Sequence, residues 1–273
     1  MFELLELGLC NKYFYGNSAL VIISLFGVAI IGYLLGSLNF GVIISKAFYK
    51  DDVRKHGSGN AGMTNILRTY GKFPAAMTFL GDGLKTALAI LIGALLLGSH
   101  NTAFYNYNGV IYSNFNDLMY KLAEAFPGVE KINLLDVPNL ITYEGYAGMY
   151  IGGVACILGH CYPLYYKFKG GKGVVAAFFM VLCTSPVVGL ICLAFFIAIV
   201  AGTKYISLGS IMSIMIYPLI LYKMTGLGPH NIIAICIMLF VIFLHRANIK
   251  RLLNGEENKF SLKSKKKKDE SQN

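Results

Sequence analysis

Two stretches of this chain set glycines beside basic and amide side chains, a combination suited to holding phosphate. The first, residues 54–72, carries Gly57, Gly59 and Gly62 with Ser58, Asn60, Thr64 and Asn65, flanked by Arg54, Lys55, Arg68 and Lys72. Glycines let a backbone turn so that several N–H groups point at one anion. Arg and Lys add charge and forked hydrogen bonds to phosphate oxygens. The second stretch, residues 167–173, holds Lys167, Lys169 and Lys172 among Gly170, Gly171 and Gly173. A glycine turn that leads into a helix presents free N–H groups to an anion. The first stretch also fits G-x-G-x-x-G, but an apolar run precedes it where a strand is required. Asp82, at the distance of a ribose-binding acid, lies inside another apolar run, so a dinucleotide fold is not expected. The second stretch is not a Walker A loop, because Gly173 and Val174 follow Lys172 in place of Ser or Thr. The plainer reading of both stretches is a turn with ordinary positive-inside charge.

Other residues with chemical capacity stand at the ends of apolar runs or within them. Asp82 and Lys85 are three apart on one helical face. They form either an ion pair that fixes helix packing or one wall of a site. His160 ends one apolar run, Ser207 begins another, and His245, Arg246 and Asn248 follow a third. Such groups serve as interface anchors or as a second polar wall. The five histidines lack metal-ligand spacing, and the six cysteines include no C-x-x-C pair. The cysteines are expected as buried hydrophobes, and no metal site is expected.

These residues must be carried by membrane helices. Only 14% of the 273 residues are charged and the mean hydropathy is +0.59, whereas a soluble domain has about a quarter charged. The expected fold is all-α, a single polytopic bundle over 1–273 with seven transmembrane helices near 20–40, 74–97, 146–160, 173–183, 187–201, 206–222 and 231–244. Gly32 and Gly36 make a close-packing face on the first. The fourth is short, and Thr184-Ser185-Pro186 must turn tightly if 173–201 crosses twice. Glu3 and Glu6 stand where a signal peptide is positive, so no cleavage is expected. Residues 99–144, rich in Asn and Tyr, form an insert, and residues 259–273 form a disordered basic tail drawn to anionic lipid. The loops at 46–72, 161–172 and 202–205 and the C-terminal tail hold six, three, one and nine Lys/Arg, against four on the opposite side. The basic side is therefore expected in the cytoplasm, with the N-terminus and the insert outside and the C-terminus inside. Both glycine loops then share the cytoplasmic face. The tail lacks a folded nucleic-acid module, so no nucleic acid is expected as a partner.

The stretches Gly36-Ser37-x-x-Phe40-Gly41, Arg54-x-x-Gly57-Ser58-Gly59-Asn60-x-Gly62-x-Thr64-Asn65-x-x-Arg68, Asp82-x-x-Lys85, Leu158-Gly159-His160-x-Tyr162-Pro163, Phe168-Lys169-Gly170-Gly171-Lys172-Gly173, Ser207-Leu208 and His245-Arg246-x-Asn248-Ile249 carry a resemblance. In this order they resemble the bacterial membrane acyl-phosphate:glycerol-3-phosphate acyltransferases. The resemblance implies seven helices in the cell membrane and a cytoplasmic active site. It implies transfer of a fatty acyl group from acyl phosphate to the 1-hydroxyl of sn-glycerol 3-phosphate. The products are lysophosphatidic acid and phosphate, the first step of phospholipid synthesis, with no cofactor. An acyl-phosphate-forming enzyme is implied as a functional partner. By the same resemblance Ser58, Gly59 and the Gly170–Gly173 loop hold the acyl phosphate, and Arg68, Lys172, Ser207, His245 and Asn248 bind glycerol 3-phosphate. Gly57, Asn60, Thr64, Asn65, Asp82, Lys85 and His160 complete the expected substrate-binding set.

Three departures stand out. Ala247 replaces an acid often found between the family's Arg and Asn, Ala176 replaces a usual Thr, and compact members lack the insert and tail. A transporter for a phosphorylated solute is the competing class, since Asp82 and Lys85 also suit a conduction path. Against it, the polar motifs gather on one face and no internal repeat is visible, where alternating access favours a midplane site between repeats.

Overall fold

The computed structural model describes residues 18–97, 105–107, 110–112, 147–225 and 229–260. Its helices are α1 (Ser18–Ser37), α2 (Phe40–Tyr49), α3 (Met63–Tyr70), α4 (Lys72–Leu97), α5 (Ala147–Cys161), α6 (Val174–Thr184), α7 (Pro186–Thr203), α8 (Ile206–Thr225), α9 (Pro229–Leu244) and α10 (Arg246–Leu253). Two three-residue strands, β1 (Tyr105–Tyr107) and β2 (Val110–Tyr112), pair antiparallel within the insert. The remainder of the insert and the tail from 261 onward lie outside the described residues.

Among the described residues, four stretches are long and apolar enough to cross a bilayer: Ile22–Tyr49, Lys72–Leu97, Pro186–Thr203 and Ile206–Thr225. The pair α9–α10, bent by 60°, makes a fifth if it is one span. At 15 residues, α5 is about 22 Å long, and α6 is shorter still, against about 30 Å of hydrocarbon. Ile23, Phe26, Leu190, Ile197, Ile232 and Leu239 are exposed. An apolar outer surface of this kind suits lipid and not water.

The first apolar run extends past its expected end. It breaks at Leu38–Asn39, where Asn39 caps α2 by accepting from the Val42 N–H, 3.3 Å, and continues helical to Tyr49. The break is stapled from α4. Lys85 Nζ donates to the orphaned carbonyls of Gly36, 2.9 Å, and Leu38, 2.7 Å. Asp82 Oδ1 lies 2.7 Å from Lys85 Nζ and accepts from the Phe40 N–H at 3.4 Å. Helix α1 packs on α5 through small residues: a Cβ at Gly36 would lie 2.2 Å from the Cys156 carbonyl oxygen. Helices α6 and α7 join through Ser185 alone, with Pro186 opening α7, so the tight turn at 184–186 is present. The main core, including Ile157, Met180, Tyr217, Leu221 and Val241, lies among α5, α6, α8 and α9. A second, small core of Val42, Val53, Ala61, Ile66 and Ala75 lies beneath residues 50–62.

Candidate active site

The first glycine loop is built on its own side chains. Lys50 ends α2 in the left-handed region, and Asp52 caps a short 3-10 turn, Val53–Lys55, with Oδ1 accepting from the Arg54 N–H at 3.0 Å. Gly57 and Gly59 take φ of +55° and +72°, a region that glycine enters without steric cost. Asn65 is the template for the turn. Its Oδ1 accepts from the Ser58 N–H at 3.0 Å, and its Nδ2 donates to the carbonyls of Val53, His56 and Asn60 at 2.9–3.0 Å. A Cβ at Gly57 would lie 2.3 Å from that Oδ1. Gly62 caps α3 without a side chain, and Met63 and Thr64 of its first turn line a cavity.

The second loop is folded against the end of α5. The N–H groups of Gly170 and Gly171 donate to the carbonyls of Cys161, 3.2 Å, and His160, 3.1 Å. A Cβ on Gly170 would meet the His160 carbonyl oxygen at 2.1 Å, and one on Gly171 would meet His160 Nε2 at 2.2 Å. Only glycine lets the loop lie this close. Gly173, at φ +76°, caps α6 with no side-chain bond.

Both loops open onto one cavity of about 240 Å³. Its lining includes all five expected catalytic residues, Ser58, Arg68, Lys172, His245 and Asn248, together with Asn60, Thr64, Asn65, Asp82, His160, Gly173 and Ser207. Gly57, Gly59, Lys85, Gly170 and Gly171 stand behind the lining, where they shape the loops and the α1–α2 break. His160 Nδ1 is 3.2 Å from Lys85 Nζ and 3.5 Å from Asp82 Oδ1, which ties the second loop to the staple on α4. Much of the remaining wall is apolar and includes Phe79, Val175, Phe178, Leu193, Phe196 and Ile214.

Glu257 was not expected from the sequence. Asn254 and Gly255, the latter at φ +71°, reverse the chain after α10, and the turn brings Glu257 into the polar end of the cavity. It accepts from Ser207 Oγ, 3.0 Å, Asn248 Nδ2, 2.9 Å, and Arg251 Nε, 2.7 Å. Burial pushes its carboxyl pKa up, but these bonds outweigh that and hold it below the ordinary value. The one signal was an acid just past an Asn-Gly turn in an otherwise basic segment.

Around Glu257 the charge is unbalanced. Lys172 Nζ donates to Asn248 Oδ1. Burial, then the fields of Arg251 and Arg68 against that of Glu257, lower its pKa to about 8. Burial and Arg251 lower the Arg68 pKa as well. Arg251 pairs with Glu257, and Arg68 and Lys172 line the same end of the cavity, so cations outnumber the carboxylate there. Beside them His245 Nδ1 lies 2.8 Å from the Val241 carbonyl oxygen. That acceptor assigns the ring proton to Nδ1, leaving Nε2 as a base. Among the described residues, no group of three or more His, Cys, Asp or Glu side chains is placed to hold a metal.

The model of the family "Glycerol-3-phosphate acyltransferase" matches residues 26–255. The chain belongs to the glycerol-3-phosphate acyltransferase family. A glycerol-3-phosphate acyltransferase of Clostridioides difficile is 36% identical over 236 residues, covering 86% of this chain and 95% of the relative. One from Thermoanaerobacter pseudethanolicus is 34% identical, covering 86% and 96%. Among solved structures, the integral membrane glycerol 3-phosphate acyltransferase PlsY in its glycerol 3-phosphate form superposes with a TM-score of 0.65 at 31% identity, over 87% of this chain and 96% of that one. Its lysophosphatidic acid form gives 0.61. The family match spans every cavity-lining residue except Glu257, and the protein is an integral membrane acyltransferase of phospholipid synthesis.

Proposed function

We propose that this acyltransferase moves a fatty acyl group from acyl phosphate to the 1-hydroxyl of sn-glycerol 3-phosphate. The observation that carries the reading is that Arg68 and Lys172 line the polar end of the cavity beside Glu257, a carboxylate that Arg251 already engages, while Phe79, Val175, Phe178, Leu193, Phe196 and Ile214 give the cavity an apolar stretch of wall. A phosphate would supply the missing charge, and the apolar wall suits an acyl chain. The two PlsY structures, one a glycerol 3-phosphate form and one a lysophosphatidic acid form, correspond to acceptor and product.

In this reading Ser58, Asn60, Thr64 and Gly173 face the donor phosphate, while Gly59, Gly170 and Gly171, whose N–H groups are bonded to backbone carbonyls, shape the two loops behind them. Arg68, Lys172, Ser207, His245 and Asn248 hold glycerol 3-phosphate and aim its 1-hydroxyl at the acyl carbon. The hydroxyl oxygen forms the new ester bond as the carbon–oxygen bond to phosphate breaks. The hydroxyl proton passes to His245 Nε2 or to a phosphate oxygen. Phosphate is a good leaving group, so positioning and charge neutralisation supply most of the rate without a covalent enzyme intermediate. Purified protein should form lysophosphatidic acid from acyl phosphate with phosphate released in equal amount, and acyl-CoA should not replace the donor. Equal turnover with acyl-CoA would sink this assignment.

We infer seven crossings of the cell membrane, with the N-terminus outside and the site on the cytoplasmic face. The asymmetry of Lys and Arg supports this orientation. An acyl-phosphate-forming enzyme would supply the donor. A cysteine introduced at residue 116 should be labelled by an impermeant reagent in intact cells and one at residue 61 should not; the reverse pattern contradicts the orientation.

A further inference from the structure

The two glycine loops are far apart in sequence, yet one site needs them at a fixed separation. Among the described residues, the hydrogen bonds that join them directly all come from Arg54, which does not line the cavity. Its Nη1 donates to the carbonyls of Tyr166, 3.0 Å, and Lys169, 3.1 Å, in the turn just before Gly170. The other side of the fork is anchored at home. Nε donates to Asp52 Oδ1 at 2.9 Å and Nη2 to Asp52 Oδ2 at 2.6 Å. The same Asp52 caps the 3-10 turn that carries Arg54, so one carboxylate fixes both the backbone and the head of this side chain. The guanidinium also lies 5.6 Å from the centre of the Tyr166 ring, which Lys46 approaches at the same distance.

The geometry points to Arg54, with Asp52 as its anchor, as a positioning residue that sets the spacing of the two phosphate loops and so the affinity for the acyl phosphate head. This rests on the assignment of both loops to the donor. The pair is neutral overall and only partly buried, with side-chain exposures of 22% and 16%, so it adds no net charge to attract substrate. Its contribution is alignment. The hydrogen bond to Arg54 is the main cause holding the Asp52 carboxyl at about 2, so the latch stays ionised across the neutral range. Lysine offers a point charge on a flexible stem and cannot grip a carboxylate and two carbonyls together.

The test compares Arg54→Lys and Asp52→Asn with the parent enzyme, purified whole. Both variants should raise the KM for acyl phosphate about tenfold or more, the scale of losing a hydrogen bond to a charged group. The KM for glycerol 3-phosphate should move less than about threefold and the melting temperature little. A merely structural residue would lower the amount of active enzyme, with kcat falling and both KM values unchanged; that result overturns the proposal. A second readout does not depend on the donor. Spin labels at exposed Lys55→Cys and Lys167→Cys, with Cys10 and Cys236 changed to Ser, should show a broader distance distribution when Arg54→Lys is added. An unchanged distribution overturns the latch even if wild-type protein turns over no acyl phosphate, an outcome that would separately overturn the donor assignment.

Discussion

Two charge clusters serve this site, one buried and one open to solvent, and they differ in balance. Asp82, Lys85 and His160 form a charge-balanced set in which Lys85 meets one carboxylate and two backbone carbonyls. Glu257 pairs with Arg251, and Lys172 and Arg68 stand beside them with no carboxylate of their own among the described residues. Burying charge is costly unless it is paired. A balanced cluster holds the protein together, whereas an unbalanced one calls for a ligand. The same residue types therefore play opposite parts: a staple on the broken α1–α2 helix, and a receptor for phosphate.

Removing a member of the balanced cluster should have the largest effect, and on folding. Lys85→Met leaves Asp82 with only the more distant His160 beside it and two carbonyls uncapped, a loss of about 3–5 kcal/mol. Thermal melting of the purified protein should show a large fall, with little folded protein recovered. A normal melting temperature would mean that the staple is dispensable.

Removing a member of the unbalanced cluster should affect turnover more than folding. Lys172→Ala should lower kcat/KM by roughly a hundredfold, the scale of losing one electrostatic stabiliser, with the melting temperature kept. Steady-state kinetics beside a melting curve would check the contrast. Near-normal activity would return the second glycine loop to an ordinary turn.

How much of this contrast was legible in the sequence depends on how local each signal is. Both glycine loops were, because φ above zero and close backbone approach leave glycine in the chain beside the basic residues they serve. The Gly32/Gly36 face was legible for the same reason, and the turn at 184–186 because Pro186 cannot continue the preceding helix but can open the next. The break at Leu38–Asn39 was not, because the apolar run continues across it and the group that stabilises it, Lys85, comes from another helix. Asn65 was expected to meet substrate, yet its amide also makes four hydrogen bonds to the loop itself. Glu257 was missed because its role depends on Ser207, Asn248 and Arg251, which only the folded chain assembles around it.

The pH dependence sharpens the comparison with a smaller effect. Lys172, at about 8 in the free enzyme, loses its charge as pH rises through that value, and the neutral amine pairs poorly with phosphate. The kcat/KM for glycerol 3-phosphate should hold below about pH 8 and fall by up to roughly tenfold per unit above it. Lys172→Ala should flatten that limb, which a pH–rate profile of both proteins would show. The smallest effect belongs to the tail. Lys267→Ala should leave the kinetic constants unchanged, since a single charge in a basic run contributes only to a general field.

The most direct measurement is calorimetric titration of glycerol 3-phosphate into the purified protein, wild type and Lys172→Ala, with no acyl donor present. The surplus-charge account predicts saturable binding to the wild type and at least tenfold weaker binding to the variant at equal thermal stability. Equal affinity in the two proteins would contradict it.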